Sequence, residues 1–209
     1  MPNFQNEKKL VLDYWNEVDK CNNQDLEKII SKYTSNNFHM RCTHPFNELD
    51  GVEQVANQLW VPIKKSFKPI QRRLDIFYAG ENSLDENGGV WISSMGHLMG
   101  VFNKNFFGLQ PHYKSSLLRF AEFYKVEGNK ITEGAIFLDI FNFMQQLGLS
   151  IIPESTGLVC VTPGPMNHKG LKFDLSNNNE SEKTLELIHR MRDRLVKGSN
   201  MKSFKEELE

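Results

Sequence analysis

Cysteine is scarce: Cys21, Cys42 and Cys160 are the only three in 209 residues, odd in number, widely spaced and without a C-x-x-C pair. Neither a disulfide framework nor a zinc site is suggested, and free buried thiols are expected. Long apolar runs are missing as well. No stretch approaches the roughly 18 apolar residues of a membrane helix, and the N-terminus MPNFQNEKKLVLDYW lacks the apolar core and small residues of a signal peptide. A cytoplasmic chain with no membrane partner is the expectation. There is no excess of one charge either, with 25 basic against 26 acidic residues and no face-sized block of one sign. Nucleic acid is therefore not an expected partner. The phosphate-binding P-loop, the dinucleotide glycine fingerprint, HExxH and GxSxG are all absent, so phosphoryl transfer, nicotinamide redox chemistry and hydrolase triads have no local support. No internal repeat or low-complexity tract is present.

The composition, 39% hydrophobic, 11% aromatic and 24% charged, is that of a globular chain. Its length suits one domain with an appendage. Leu10, Val11, Tyr14, Trp15 and Val18 form the stripe of a helix over 7–21, and Leu26, Ile29, Ile30 and Tyr33 that of a second. A third helix begins at Asp50, with Glu53 placed for a capping box and the stripe Val52, Val55, Ala56 and Leu59, and Pro62 is expected to end or kink it. From there the period becomes two. Strands are expected over 72–78, 90–102, 115–126 and 130–140, with a short one over 38–43 between the helices. Helices followed by antiparallel strands indicate an α+β domain over 1–150, its helices on one face of a curved sheet and the other face free to line a cavity. A short helix over 141–147, an ordered strap over 150–178 and an amphipathic helix from Asn179 follow, the last with Leu185, Ile188, Met191 and Leu195 on one face. The second segment is placed at 151–209.

Ile131, Glu133, Ala135, Phe137 and Asp139 alternate on the last strand and are expected on one face. A carboxylate ending an apolar row has its charged form disfavoured by desolvation, which suits it to take and return a proton. Asp139 is equally placed to cap the next helix. Trp91, Ser93, Met95, His97, Met99 and Val101 set an imidazole in an apolar row, flanked by Gly96 and Gly100, which permit close approach of another strand or a ligand. Glu122, in line with Phe120 and Tyr124, and Arg73 and Asp75, in line with Phe77, are read as polar groups pointing into the same interior or as structural ion pairs. His44, before Pro45, suits a pocket mouth or a solvated loop, and Trp60 and Trp91 suit the core.

Six segments together carry a family resemblance: THPFNELDGVEQVANQLWVPIKKSF (43–67), QRRLDIFYAG (71–80), GHLMGVF (96–102), FGLQPHYK (107–114), LLRFAEFYKVEGNKITEG (117–134) and FLDIFNFMQQLG (137–148). Over about residues 5–150 the chain resembles the SnoaL-like polyketide cyclases, or ester cyclases, of the nuclear-transport-factor-2-like superfamily. The resemblance implies a cone-shaped α+β barrel, usually a homodimer, with a hydrophobic cavity and neither metal nor organic cofactor. It also implies Asp139 as the acid/base and His97 as a pocket residue. The continuation through TPGPMNHKG into an amphipathic helix is similar to longer relatives in which a second cone follows.

The function expected is an intramolecular aldol-type closure on a small apolar carbonyl compound. Asp139 and His97 would be catalytic, and His44, Arg73, Asp75, Trp91, Glu122 and Phe137 would line the substrate site. One carboxylate can suffice, because flanking carbonyls already acidify the carbon that loses its proton. Holding two ends of one molecule together is worth up to roughly 7 to 11 kcal/mol. The competing expectations are a non-catalytic small-molecule-binding or dimerisation module, and an isomerase or epoxide hydrolase on the same scaffold.

Overall fold

The computed structural model describes residues 4–82, 88–149, 153, 164–165, 167–175 and 179–199. Its helical elements are α1 (Gln5–Lys20), a 3-10 turn (Asn23–Asp25), α2 (Leu26–Tyr33), α3 (Gly51–Gln54), a π-helical stretch (Val55–Trp60), α4 (Val61–Ser66), α5 (Ile140–Gln146) and α6 (Asn179–Ser199). Its strands are β1 (Thr34–Cys42), β2 (Glu48–Asp50), β3 (Phe67–Glu81), β4 (Val90–Phe102), β5 (Ser115–Glu127) and β6 (Lys130–Leu138). They form one sheet in the order β2-β1-β6-β5-β4-β3, antiparallel except where β1 runs beside β6. This is the α+β arrangement expected from the change of hydrophobic period. Two compact units are present, Met1–Phe173 and Asp174–Glu209. Cys160 and the IIPES segment, Pro153 apart, lie outside the described residues.

Alternation decides which face of the sheet the helices cover. Ile92, Leu98 and Phe102 of β4, Leu118, Phe120 and Tyr124 of β5, and Ile131, Ile136 and Leu138 of β6 are buried. Val11, Tyr14, Trp15 and Val18 of α1, Leu26 and Ile30 of α2, and Leu59, Trp60 and Ile63 complete this core. Each such side chain contributes about 1.5–3 kcal/mol when fully buried. The rings of Phe67, Phe102, Phe106 and Phe143 meet with centroids 5.0 to 6.2 Å apart, which fastens α5 to the ends of β3 and β4.

Several local expectations change. Asp50 does not cap with its side chain; its carboxylate meets His39 Nδ1 at 2.7 Å, and Gln54, rather than Glu53, reaches back to the Asp50 N–H. Pro62 does not end the helical run: the π-helical stretch Val55–Trp60 passes directly into α4, with Pro62 in its first turn. Two bulges alter the strand faces. On β6, Lys125 pairs with Glu133 but Val126 with Ile131, so Thr132 is the extra residue and Ile131 turns to the core face. On β3, Leu74 pairs with Gly96 and Ile76 with Met95, leaving Asp75 as the extra residue.

The glycines flanking His97 do admit a neighbouring strand. A Cβ on Gly96 would lie 1.9 Å from the Arg73 carbonyl oxygen, and one on Gly100 2.8 Å from that of Pro69. The free edge of β3 is covered by residues 170–173. Phe77 N–H donates to Gly170 O at 2.8 Å, Lys172 N–H to Phe77 O at 2.7 Å, and the Phe173 ring sits 5.2 Å from that of Phe77.

Because the obstructing atom is backbone, Gly96→Ala is expected to lower stability by about 1–3 kcal/mol in urea unfolding. Gly80→Ala, where a Cβ meets nothing within 4 Å, should stay within about 0.5 kcal/mol of the parent. Equal effects at the two positions would show that the strand approach is not limiting.

Candidate functional site

The centre of the helix-covered interior is ionic. Arg72 of β3 donates from Nε to Asp19 Oδ2 at 2.9 Å, from Nη2 to Asp19 Oδ1 at 3.3 Å, and from Nη1 to Glu122 Oε1 at 2.9 Å. Its guanidinium carbon lies 4.9 Å from the Trp15 ring centroid, 5.4 Å from Trp60 and 5.0 Å from Phe120. Burial works against the guanidinium charge, but the carboxylates of Asp19 and Glu122 hold it firmly protonated. Glu122 is fully buried. Desolvation raises its pKa above the ordinary 4.5, Arg72 opposes that rise, and the Asp19 charge on the same guanidinium adds to it.

Only one oxygen of Glu122 is anchored. Glu122 Oε2, Tyr14 Oη, Tyr124 Oη, Trp15 Nε1 and Trp60 Nε1 are all buried without a hydrogen-bond partner. The Tyr124 ring lies 5.6 Å from Tyr14 and 5.9 Å from Trp15. Trp15 neighbours the Glu122 carboxyl and Tyr124, and Trp60 neighbours the Tyr14 hydroxyl, each just outside hydrogen-bonding geometry. Burial, with the Glu122 charge adding to it, pushes both phenols upward, so both stay neutral donors. A carboxyl with one oxygen held and the other facing neutral donors is an arrangement suited to proton transfer and to stabilising developing negative charge.

Of the residues expected to be catalytic or to line the substrate site, Glu122 alone belongs to this interior, in line with Phe120 and Tyr124 as expected and with Trp60 in the core beside it. The Trp91-to-Val101 row is a true row, but its partners Ile92, Ser94, Gly96, Leu98, Gly100 and Phe102 are the ones that face the helices. His97 therefore lies on the outer face of the sheet, its Nδ1 3.1 Å from Asp75 Oδ2, with Nε2 buried and unpartnered. Arg73 pairs with His97 on the same face. The expected Arg73-Asp75-Phe77 line is broken by the bulge at Asp75, and only Phe77 points inward. Asp139 caps α5, accepting from the Asn142 N–H at 3.0 Å, and takes a 2.6 Å hydrogen bond from Arg119. Phe137 is 55% exposed, and His44 is exposed in the β1–β2 loop. The outer face thus brings Arg73, His97, Arg119 and Asp139 into one row across β3 to β6. Trp91 lies apart from that row, in a groove of about 380 Å³ with Tyr78, Ser93, Phe123 and Ala135. Sequence reasoning missed Arg72 and Asp19 altogether and gave Tyr14, Trp15 and Tyr124 buried positions but no part in the site. The available signal was the presence of polar-tipped aromatics, Tyr14 and Trp15, on an otherwise apolar helix stripe.

Removing Arg72 leaves Glu122 buried beside no cation, so Arg72→Met should cost about 3–5 kcal/mol in denaturant unfolding. A loss under 1 kcal/mol would show that the pair does not organise the core. The pH dependence has a defined sign. The folded protein keeps a proton on Glu122 that the unfolded chain releases near 4.5, so this group's contribution to stability falls as pH rises above 4.5. Glu122→Gln should remove that fall, which unfolding midpoints at successive pH values would register.

No protein-family model and no curated protein matches the chain. Solved structures do. AclR of Streptomyces galilaeus, provisionally assigned as a hydroxylase, is 18% identical, with 71% of this chain and 85% of that one aligned at a TM-score of 0.55. A provisionally assigned polyketide cyclase from Acidithiobacillus ferrooxidans is 15% identical over 71% and 98% of the two chains, also at 0.55. A SnoaL-like polyketide cyclase, again provisionally assigned, from Jannaschia sp. CCS1 is 15% identical over 71% and 94%, at 0.52. The described helices and six-stranded sheet have the fold of the SnoaL-like polyketide cyclases.

Proposed function

We propose that this chain is a cofactor-independent acid–base enzyme that closes a ring in a small apolar carbonyl compound by aldol-type chemistry, with Glu122 as the proton-transferring group. The observation that carries the reading is the unpartnered Glu122 Oε2 among four unpartnered donors from Tyr14, Trp15, Trp60 and Tyr124. Asp139, given this role by the family resemblance, is already engaged with the α5 N-terminus and Arg119 on the other face of the sheet. Similarity of fold to polyketide cyclases supports the class of chemistry and leaves the residues to be argued from geometry.

The proposed steps use the parts present. Glu122 Oε2 takes a proton from the carbon between two carbonyls, while Arg72 fixes the other oxygen. The Tyr14 and Tyr124 hydroxyls and the Trp15 and Trp60 N–H groups donate to the enolate oxygen and then to the alkoxide formed on closure. The proton held by Glu122 returns to that alkoxide. The interior is packed around these groups, so this reading requires Trp60, which lies against Arg72, to move aside for substrate. Trp60 ends the π-helical stretch Val55–Trp60, and such irregular turns recur at functional sites.

Deuterium exchange at the α-carbon of 1-tetralone, followed by proton NMR in D2O, tests the proton transfer before the natural substrate is known. The protein should accelerate exchange above buffer, Glu122→Gln should reduce it by at least about a hundredfold, and Asp139→Asn should retain it. No acceleration, or full activity in Glu122→Gln, would sink the reading.

The groove beside Trp91 favours a second reading, a non-catalytic module that binds an apolar molecule on the outer face. Its volume of about 380 Å³ and its lining by Tyr78, Trp91 and Phe123 fit the lower range of small-ligand sites. On that reading 1-tetralone quenches tryptophan fluorescence saturably, Trp91→Ala abolishes the quenching, and Glu122→Gln leaves it unchanged.

A further inference from the structure

The connection between β4 and β5, residues 103–114, is pinned to the sheet yet holds two aromatic side chains out in water. Phe106 and Leu109 exchange backbone hydrogen bonds of 3.1 and 3.0 Å around a two-residue turn of Phe107 and Gly108. Both turn residues have positive φ, 48° and 89°, the pattern of a type I′ turn, whose first position favours Asn, Asp or Gly. Phe107 occupies that position and remains 52% exposed, although its ring meets those of Phe46 and Phe106 at 5.1 and 4.9 Å. Tyr113 repeats the exception, with a φ of 59° and 71% exposure. Its backbone is fixed on both sides: the Tyr113 N–H donates to Phe102 O and the Phe102 N–H to Lys114 O, each at 3.0 Å, and the Lys114 N–H donates to His112 Nδ1 at 3.2 Å. A bulky residue held in the left-handed region with its side chain outward is a strained feature that points to use at the surface.

Charge is sorted at the same end of the sheet. The Asn103 N–H donates to Ser66 O and Ser66 Oγ to Asn105 O, each at 3.0 Å, which sets the end of α4 and the start of β3 beside this connection. No acid occurs between Glu53 and Asp75 or between Glu86 and Glu122. Lys65, Lys68, Lys104 and Lys114 belong to those stretches and are all exposed. The adjoining β1–β2 loop is followed by one acid, Glu48, and Asp139 is paired with Arg119. Folding thus gathers from separate segments a basic patch that no run in the sequence shows. Lysine is depleted at protein–protein interfaces. Lysines around projecting aromatic rings suit the boundary of an anionic bilayer, where rings enter the headgroup layer and ammonium groups stay with the phosphates.

We propose that this end of the first unit is a membrane-docking surface, with Phe107 and Tyr113 entering the headgroup region of an anionic bilayer and Lys65, Lys68, Lys104 and Lys114 lying against its phosphates. Docking of this kind needs no spanning segment, so the lack of a long apolar run, which argued against a membrane partner, does not bear on it. The inference does not depend on the proposed catalytic function, and its test reads partition rather than turnover.

Co-sedimentation of the full chain with vesicles is the test. The parent should bind vesicles of phosphatidylcholine with about 30% phosphatidylserine at least about tenfold more strongly than phosphatidylcholine alone, and rising salt should release it. Phe107→Asn with Tyr113→Asn gives both positions a residue that accepts positive φ, so the thermal transition should be kept or raised while binding falls at least about tenfold. Lys104→Glu with Lys114→Glu should weaken binding as much and remove the preference for phosphatidylserine. Should Phe107→Asn lower the thermal transition through its lost contact with Phe46, Tyr113→Asn alone decides, by a clear loss of binding in a fully folded protein. No binding, equal binding to neutral vesicles, or undiminished binding by the Asn variants would overturn the proposal. So would self-association without vesicles that the Asn changes abolish, which would mark a protein-contact surface instead.

Discussion

A buried guanidinium sets the terms for the interior. Taking Arg72 out of water costs several kcal/mol unless its donors are met, and they are met from α1 by Asp19 and from β5 by Glu122. Those partners are 53 and 50 residues away in sequence. The ion pairs therefore fix α1 against the middle of the sheet as well as balancing charge. Trp15, Trp60 and Phe120 surround the guanidinium, keeping water from it and strengthening its interactions with the carboxylates. Apolar packing elsewhere could tolerate exchanges of similar volume, whereas this cluster requires its charges together.

The same constraint separates two chemistries across one sheet. Side chains alternate strictly between faces, so β5 sends Glu122 and Tyr124 to the helices while Arg119 goes to the outer face. The inner face is closed, aromatic and centred on one carboxyl with an unused oxygen. The outer face is open and carries a hydrogen bond between His97 and Asp75 and an ion pair of Arg119 with Asp139, near an aromatic groove. Proton transfer is favoured where water is excluded and donors are fixed, which is why the inner face carries the proposed reaction. The outer groove is better suited to holding a ligand than to changing it.

Helix stripes and strand alternation make the α+β order and the main element positions legible in the sequence, and Glu122 legible as an inward polar group or a structural ion pair, both of which its bond to Arg72 realises. The capping position of Asp139 was legible because its partner, Asn142, is three residues on, and the close approach at Gly96 and Gly100 because a missing side chain marks it even though Arg73 and Pro69 lie on another strand. The lining of the site was much less so. Arg73 and Asp75 were aligned with Phe77 by counting in twos, and one extra residue at Asp75 defeats that count. Ile131 was placed in the row of Asp139 by the same count, and Thr132 defeats it. The His97 row was counted correctly and lies on the face that the helices leave free, but the same count could not show that Glu122 would point to the opposite face, because an alternating strand does not say which of its two half-apolar sides the helices will cover.

The sequence by itself determined the local structure: where helices and strands form, where turns fall, and that α6 is amphipathic. These follow from periodicity, glycine and the chemistry of adjacent residues. Only the tertiary structure decided which face became interior, that Arg72 would find Asp19 and Glu122, and that Tyr14, Trp15, Trp60 and Tyr124 would surround the remaining carboxyl oxygen. Those outcomes depend on strand register and on contacts between residues dozens of positions apart, where a single bulge reverses a side chain and no local pattern records it.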